Sequence, residues 1–222
     1  MELERIKDFN FLGITINENL SWNSHLNNLN RKLSRICGTL NRLKHFLPPF
    51  ILKTIYNSLF LPHLNFGILT WGSSHNKVSK IQKRALRTIF KGKYNAHTEP
   101  LFKLNNLLKI EDIYTLSVIK FYYKYVHNSL PIYFSNFDLN RRSDIHPHNT
   151  RHRDLLQTNI CNKAYSKTTL RYVLPKLINS LPNIISDKIK THSLPGLSFY
   201  FKNVCLKGYS SECTIVNCYI CS

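Results

Sequence analysis

The stretch "HLNNLNRKLSRICGTLNRLKHFLPP" (residues 25–49) decides the fold class. Leu26, Leu29, Leu33, Ile36, Leu40, Leu43 and Leu47 recur three and four residues apart, which lays one apolar stripe along an α-helix. Arg31, Arg35 and Arg42 fall on the opposite side, with Lys32 at the flank. The pair Pro48–Pro49 ends the helix, and Pro49 suits the first turn of the next one.

Working outward, the sequence predicts more helix than anything else. Residues 49–60 read as a second helix with Ile51, Leu52, Ile55, Tyr56 and Leu59 facing inward, and "HLNFGILTWG" (63–72) as a further buried helix. "NKVSKIQKRALRTIF" (76–90) is a basic helix: Val78, Ile81, Ala85 and Ile89 or Leu86 form its apolar side, and Lys77, Lys80, Lys83, Arg84 and Arg87 cover much of the rest. A loop leads to a short helix in "EPLFKLNNLL" (99–108) and a long one over 110–127, with Ile113, Leu116, Ile119 or Lys120, Tyr123 and Val126 inward. Residues 132–153 are polar and weakly periodic, which reads as a linker or exposed loop. Helices follow at 168–179 and 194–207. Upstream of all these, residues 9–16 are β-prone and read as a strand without a partner within reach, in which Gly13 suggests a bend or a close backbone approach; Ser21 or Asn23 is the expected cap of the helix that follows. The expectation is a mainly α chain: a strand remnant at 1–20, a helical bundle at 21–93, a helical extension at 94–131 and a C-terminal region at 132–222.

Charge narrows the function. The 222 residues hold 31 Lys and Arg against 12 Asp and Glu, a net charge of +19. That imbalance implies a polyanionic partner, RNA or DNA before an anionic membrane surface. No stretch approaches the roughly 20 apolar residues that span a bilayer, and the N-terminus carries no hydrophobic signal core. An intracellular protein, nuclear or cytoplasmic, with its six Cys reduced, is the expectation.

Catalytic chemistry is harder to find. Two-metal sites need paired carboxylates because hard dications take oxygen ligands, and the Asp residues here are isolated from one another; Glu111–Asp112 opens a helix, where negative charge suits the dipole. There is no Gly-rich phosphate loop. Near His146, His148 and His152, Arg151 and Arg153 form a basic loop suited to touching a phosphate backbone. The tail spaces Cys205, Cys213, Cys218 and Cys221 as C-x7-C-x4-C-x2-C. Four thiolates bind zinc tetrahedrally and a C-x2-C pair supplies two from one turn; free thiols or plain packing are the alternative. The basic helix faces, Arg31, Lys32, Arg35 and Arg42 on one helix and Lys77, Lys80, Lys83, Arg84 and Arg87 on another, neutralise phosphates with little sequence information.

Taken in order, "FNFLGITINENLSWNSHL", "RKLSRICGTLNRLKHFLP", "LKTIYNSLFLPHLNFGILTWG", "IQKRALRTIF", "YNAHTEPLF", "LKIEDIYTLSVIKFYYK", "TRHRDL", "INSLP" and the closing Cys cluster resemble the carboxy-terminal part of the reverse transcriptase of LINE-type (non-LTR) retrotransposons, jockey-like branch. The resemblance implies that the F-L-G-I strand is the end of the palm, that the helices from Trp22 to about Phe90 are the thumb gripping a template–primer duplex, and that the remainder helps hold element RNA and target DNA. In such enzymes Mg²⁺ sits on a Y-A-D-D-type motif, which this chain does not contain. Relatives often carry Trp where Ile178 stands. The implied function is that of a fragment of an RNA-directed DNA polymerase that grips nucleic acid without catalysing; the alternative is a stand-alone basic RNA- or DNA-binding protein, zinc-stabilised or not.

Overall fold

A computed structural model describes residues 6–134, 136–145 and 153–211. The protein is mainly α-helical with a short two-stranded sheet at its N-terminus. The chain forms two units: residues 1–113 with 202–222, and residues 114–201. It crosses from the first to the second inside one helix and returns inside another.

The N-terminal strand is not an orphan. Strand β1 (Asp8–Phe11) pairs antiparallel with β2 (Ile14–Asn17) through the register Phe9↔Ile16 and Phe11↔Ile14. Leu12 (φ 47°) and Gly13 (φ 85°) make the two-residue turn, and positive φ at both positions matches the right-handed twist of a hairpin. The bend expected at Gly13 is therefore this turn, and it splits the β-prone run into two paired strands. β1 is exposed along its length, whereas β2 is anchored. Thr15 N–H donates to Nδ1 of buried His25 (3.3 Å), and Asn28 Nδ2 donates to Thr15 Oγ1 (3.2 Å). Burial, then the charge of Lys32, holds the His25 pKa below its ordinary value, which keeps Nδ1 free to accept.

Helix α1 (Asn23–Leu43) follows. Neither Ser21 nor Asn23 caps it with a side chain; Asn17 Oδ1 instead accepts from Ser21 N–H (2.9 Å). Leu26, Leu29, Leu33 and Leu40 are buried as the stripe requires, but Cys37 takes the inward place expected of Ile36. Its neighbour there is helix α5 (Asn76–Ile89), which runs beside α1 in the same sense: Lys77 Nζ reaches Asn23 Oδ1 at one end (3.4 Å), and Cys37 Sγ faces the Ile81 carbonyl further along (4.0 Å).

Between them the chain makes a bent helical run: α2 (Pro49–Ile55), a π-helical turn (Tyr56–Phe60), α3 (Leu61–Asn65) and α4 (Ile68–Trp71). Leu52, Tyr56, Phe60, Leu64 and Ile68 are all buried, a strict spacing of four. In pure α-helix that spacing would drift about 40° per step around the axis. The wider π turn reverses the drift for one step, so Phe60 points inward and the expected Leu59 outward. Tyr56 and Phe60 consequently stack, centroids 4.9 Å apart. The expected continuous helix over 63–72 breaks at Phe66 and Gly67 (φ 60°), and Trp71 Nε1 donates to the freed Phe66 carbonyl (2.9 Å). A Cβ on Gly67 would lie 2.7 Å from Ile14 Cδ1, so β2 packs on the break itself.

Gln82 joins the parts of this unit. It is 1% exposed. Its Nε2 donates to Tyr56 Oη (3.0 Å) and to the Leu108 carbonyl (2.9 Å), and its Oε1 accepts from Ile110 N–H (2.9 Å). The loop that follows α6 (Glu99–Leu104) and the start of α7 (Ile110–Val126) are thereby fixed to α5 and the π turn. Burial pushes the Tyr56 hydroxyl pKa far up, so it stays protonated.

In the second unit the rest of α7 buries Tyr114, Val118, Ile119 and Phe121, while the expected Val126 is exposed. Phe121, Phe134 and Phe137 form edge-on pairs with centroids 5.2–6.4 Å apart. The polar stretch read as a linker is tied from its middle to the residues just after it by an antiparallel bridge, Arg141↔Leu156, with Arg142 N–H on the Leu155 carbonyl (3.0 Å) and Gln157 N–H on that of Asn140 (2.9 Å). α8 (Leu170–Ser180) binds this bridge: Asn179, from "INSLP", both donates to the Leu156 carbonyl (2.8 Å) and accepts from its N–H (2.9 Å). The Ile178 beside it is buried, 7% exposed. A helix the sequence reading missed, α9 (Asn183–Thr191), buries only Ile185 and Ile189 before α10 (Leu194–Gly208).

Replacing Gln82 by Leu strips the partners from a hydroxyl, a carbonyl and an N–H at once. We expect Gln82→Leu to lose at least roughly 3 kcal/mol of unfolding free energy, since each of the three unpaired groups costs about 1–3 kcal/mol; urea unfolding followed by circular dichroism measures it. Leu12→Asn, better suited to positive φ, should gain about 0.5 kcal/mol in the same assay.

Candidate nucleic-acid interface

Where α1 and α5 run side by side, their C-terminal halves and the loop after α5 enclose a cleft of about 1180 Å³. Lys44 enters from the end of α1, Lys80, Arg84 and Arg87 from α5, and Lys91 from the loop; among the described residues no carboxylate lines it. The floor includes Cys37, whose thiol is pushed up to about 11 by burial, against the opposing pull of Arg84. It is therefore an inert neutral group.

Lys91 occupies a special place. Helix α5 ends in a left-handed cap, with Lys91 at φ 53° and Gly92 N–H donating to the Arg87 carbonyl (2.9 Å). That is the bond of a Schellman motif, in which the left-handed residue is usually Gly. A Lys there is strained by about 1 kcal/mol, but it sets a cation among the last carbonyls of α5 and on the cleft. Arg87 is half-buried; burial pulls its pKa below the ordinary value, and its Nε donates to the Ala96 carbonyl (2.8 Å), fixing the loop.

Of the predicted cations, the cleft gathers Lys80, Arg84 and Arg87. Arg31, Lys32, Arg35 and Arg42 are exposed on other sides of α1 and do not line it. Lys77 lies earlier on α5, and Lys83 is half-buried outside the cleft. Arg153 is exposed in the second unit; Arg151 lies outside the described residues. Lys44 and Lys91 were missed because each sits at a helix end, where amphipathic periodicity carries no information. A plainer signal was available: residues 19–98 contain thirteen Lys and Arg and not one Asp or Glu.

The acids cluster elsewhere in the first unit and hold the end of α10. Glu99 pairs with Lys109 Nζ and accepts from Ser210 N–H (3.2 Å) and Oγ (2.9 Å). Lys109 stands 4.5 Å over the Tyr209 ring, and Tyr209 Oη donates to Asp112. The hydrogen bond from Lys109 holds Glu99 down to about 2. Cys205, the one tail cysteine within the described residues, is half-buried beside Asp112; burial and then that carboxylate push its thiol up to about 12. Cys213, Cys218 and Cys221 lie outside the described residues. Among the described residues no group of three or more His, Cys, Asp or Glu is placed to hold a metal, and no helix is long and apolar enough to cross a membrane.

No family model, curated protein or solved structure matches the chain. What the site can do rests on its own chemistry: Lys44, Lys80, Arg84, Arg87 and Lys91 surround a concave surface that His45, Thr88 and Tyr94 also line.

Lys91→Gly relieves the strained cap and removes a cation. It should raise the unfolding free energy by about 1 kcal/mol and weaken binding to heparin or RNA, both measurable on one preparation. Glu99 has a folded pKa below its unfolded one, so its contribution is present above about pH 4.5 and lost as pH falls towards 2. Glu99→Gln should therefore unfold at lower urea than wild type at pH 7, and the gap should close by about pH 2.

Proposed function

We propose that this chain corresponds to the thumb and C-terminal region of a non-LTR retrotransposon reverse transcriptase, and that by itself it grips RNA and DNA and polymerises nothing. The order of the motifs quoted above supports the family. The acid-free run that folds into a cation-lined cleft supports the grip, and it is the observation on which the reading rests. A surface that neutralises several phosphates releases counterions, so its affinity falls steeply with salt. The absence of a Y-A-D-D motif supports the lack of synthesis.

One feature favours the second reading, a stand-alone nucleic-acid-binding protein. β1 finds its partner in β2, and β2 is seated on α1 and Gly67. The helical unit thus closes its N-terminal edge on one side without a palm.

With the purified chain, Mg²⁺, an RNA template and a DNA primer, we expect no extension, and we expect RNA affinity in a filter-binding assay to drop at least ten-fold between about 50 and 200 mM salt. Primer extension, or affinity indifferent to salt, sinks the proposal. A single cooperative unfolding transition supports the stand-alone reading; its absence returns the chain to the status of a part.

A further inference from the structure

The cleft between α1, α5 and the loop that follows carries more than charge, because a ring stands at its rim. Tyr94 lines it and is 87% exposed. It is held there by two bonds: Ala96 N–H closes a turn onto the Lys93 carbonyl (3.0 Å), which puts Tyr94 at the tip, and Arg87 Nε ties the Ala96 carbonyl back to α5 (2.8 Å). The ring is thus presented to solvent from a fixed turn, beside a wall of cations. Building on the nucleic-acid reading above, we infer that this cleft takes a single-stranded stretch of RNA or DNA, its phosphates on Lys80, Arg84 and Lys91 and a base stacked on Tyr94.

Three observations separate a single strand from other polyanions. The volume, about 1180 Å³, exceeds the roughly 300–1,000 Å³ typical of small-molecule sites, so a metabolite phosphate would leave it mostly empty. The cations line a concave space with Cys37 and Ile81 in its lining. A duplex presents its phosphates on a convex exterior and keeps its bases stacked inside, so it would meet the rim and leave the interior and the ring unused. Single strands have free base faces, and grooves that hold them combine a cationic track with aromatic stacking platforms.

The test uses the full chain and fluorescence anisotropy with labelled oligouridylate, oligodeoxythymidylate and a blunt hairpin duplex. Tyr94→Ala should weaken binding of the single strands roughly ten-fold, and Tyr94→Phe should restore it. Neither change should alter the salt slope, and neither should alter duplex binding. Lys80→Ala with Arg84→Ala should flatten the single-strand salt slope by about 1.4. Unfolding midpoints should match wild type for Tyr94→Ala, because that side chain is exposed. The ratio between the two single strands assigns the sugar preference. Should Tyr94→Ala bind single strands like wild type, or the duplex outcompete them, this inference falls while the general reading survives. Should none of the three probes bind, both fall together.

Discussion

Three hydrogen bonds to one amide hold the helical unit in register. Gln82 sits on the face of α5 that also buries Val78, Ala85, Leu86 and Ile89, where an apolar residue would ordinarily be expected. Its amide instead satisfies the Tyr56 hydroxyl of the π turn, the Leu108 carbonyl and the Ile110 N–H. The hydroxyl and the N–H are buried and the carbonyl is partly so, and each would be costly alone. Because the amide is planar, donor and acceptor directions are fixed together, so the π turn, α5 and the start of α7 have one relative arrangement that satisfies all three. The walls of the cleft inherit their positions from this: α5 carries Lys80, Arg84 and Arg87 at a set angle to α1, and the loop beyond it is tied down through Arg87.

The distribution of charge in the first unit follows the same division between structure and binding. Carboxylates Glu99 and Asp112 engage Lys109, Ser210 and Tyr209, where they anchor the end of α10. Among the described residues no carboxylate lines the cleft with its cations, and Lys91 occupies a conformation that favours Gly. Like charges close together and a strained residue both act against folding. Both are concentrated at one concave surface, and the buried network around Gln82 holds α5, which carries most of them, in place.

Much of the helical architecture was legible, for a physical reason. Leu26, Leu29, Leu33 and Leu40 repeat at helical spacing and are buried at helical spacing; the pattern and the packing are one fact seen twice. The basic faces of α1 and α5 were likewise readable from period alone. What escaped depends on single residues rather than on periods. Gly13 announced a bend, but Leu12 does not advertise positive φ, so the bend did not read as the tight turn of a hairpin. The exchange of Phe60 for Leu59 follows from a change of helical pitch. Gln82 reads as polar filler on a basic helix, and only its depth shows its role. Lys44 and Lys91 lie at helix ends, where periodic patterns stop. α9 has a stripe of just Ile185 and Ile189, too short to stand out from the loops around it.

The π turn has a consequence for the length of the chain. Inward positions at 52, 56, 60 and 64 advance by four each time, whereas an α-helix alternates four and three to keep one face. The chain thus carries one more residue between Tyr56 and Phe60 than regular winding needs, and Leu59, turned to solvent, is the residue in excess. Excision of that residue would leave a 4-3-4 rhythm with the same aromatic pair facing inward. The segment is the place in this fold where a one-residue insertion or deletion is absorbed by a change of pitch instead of a loss of packing.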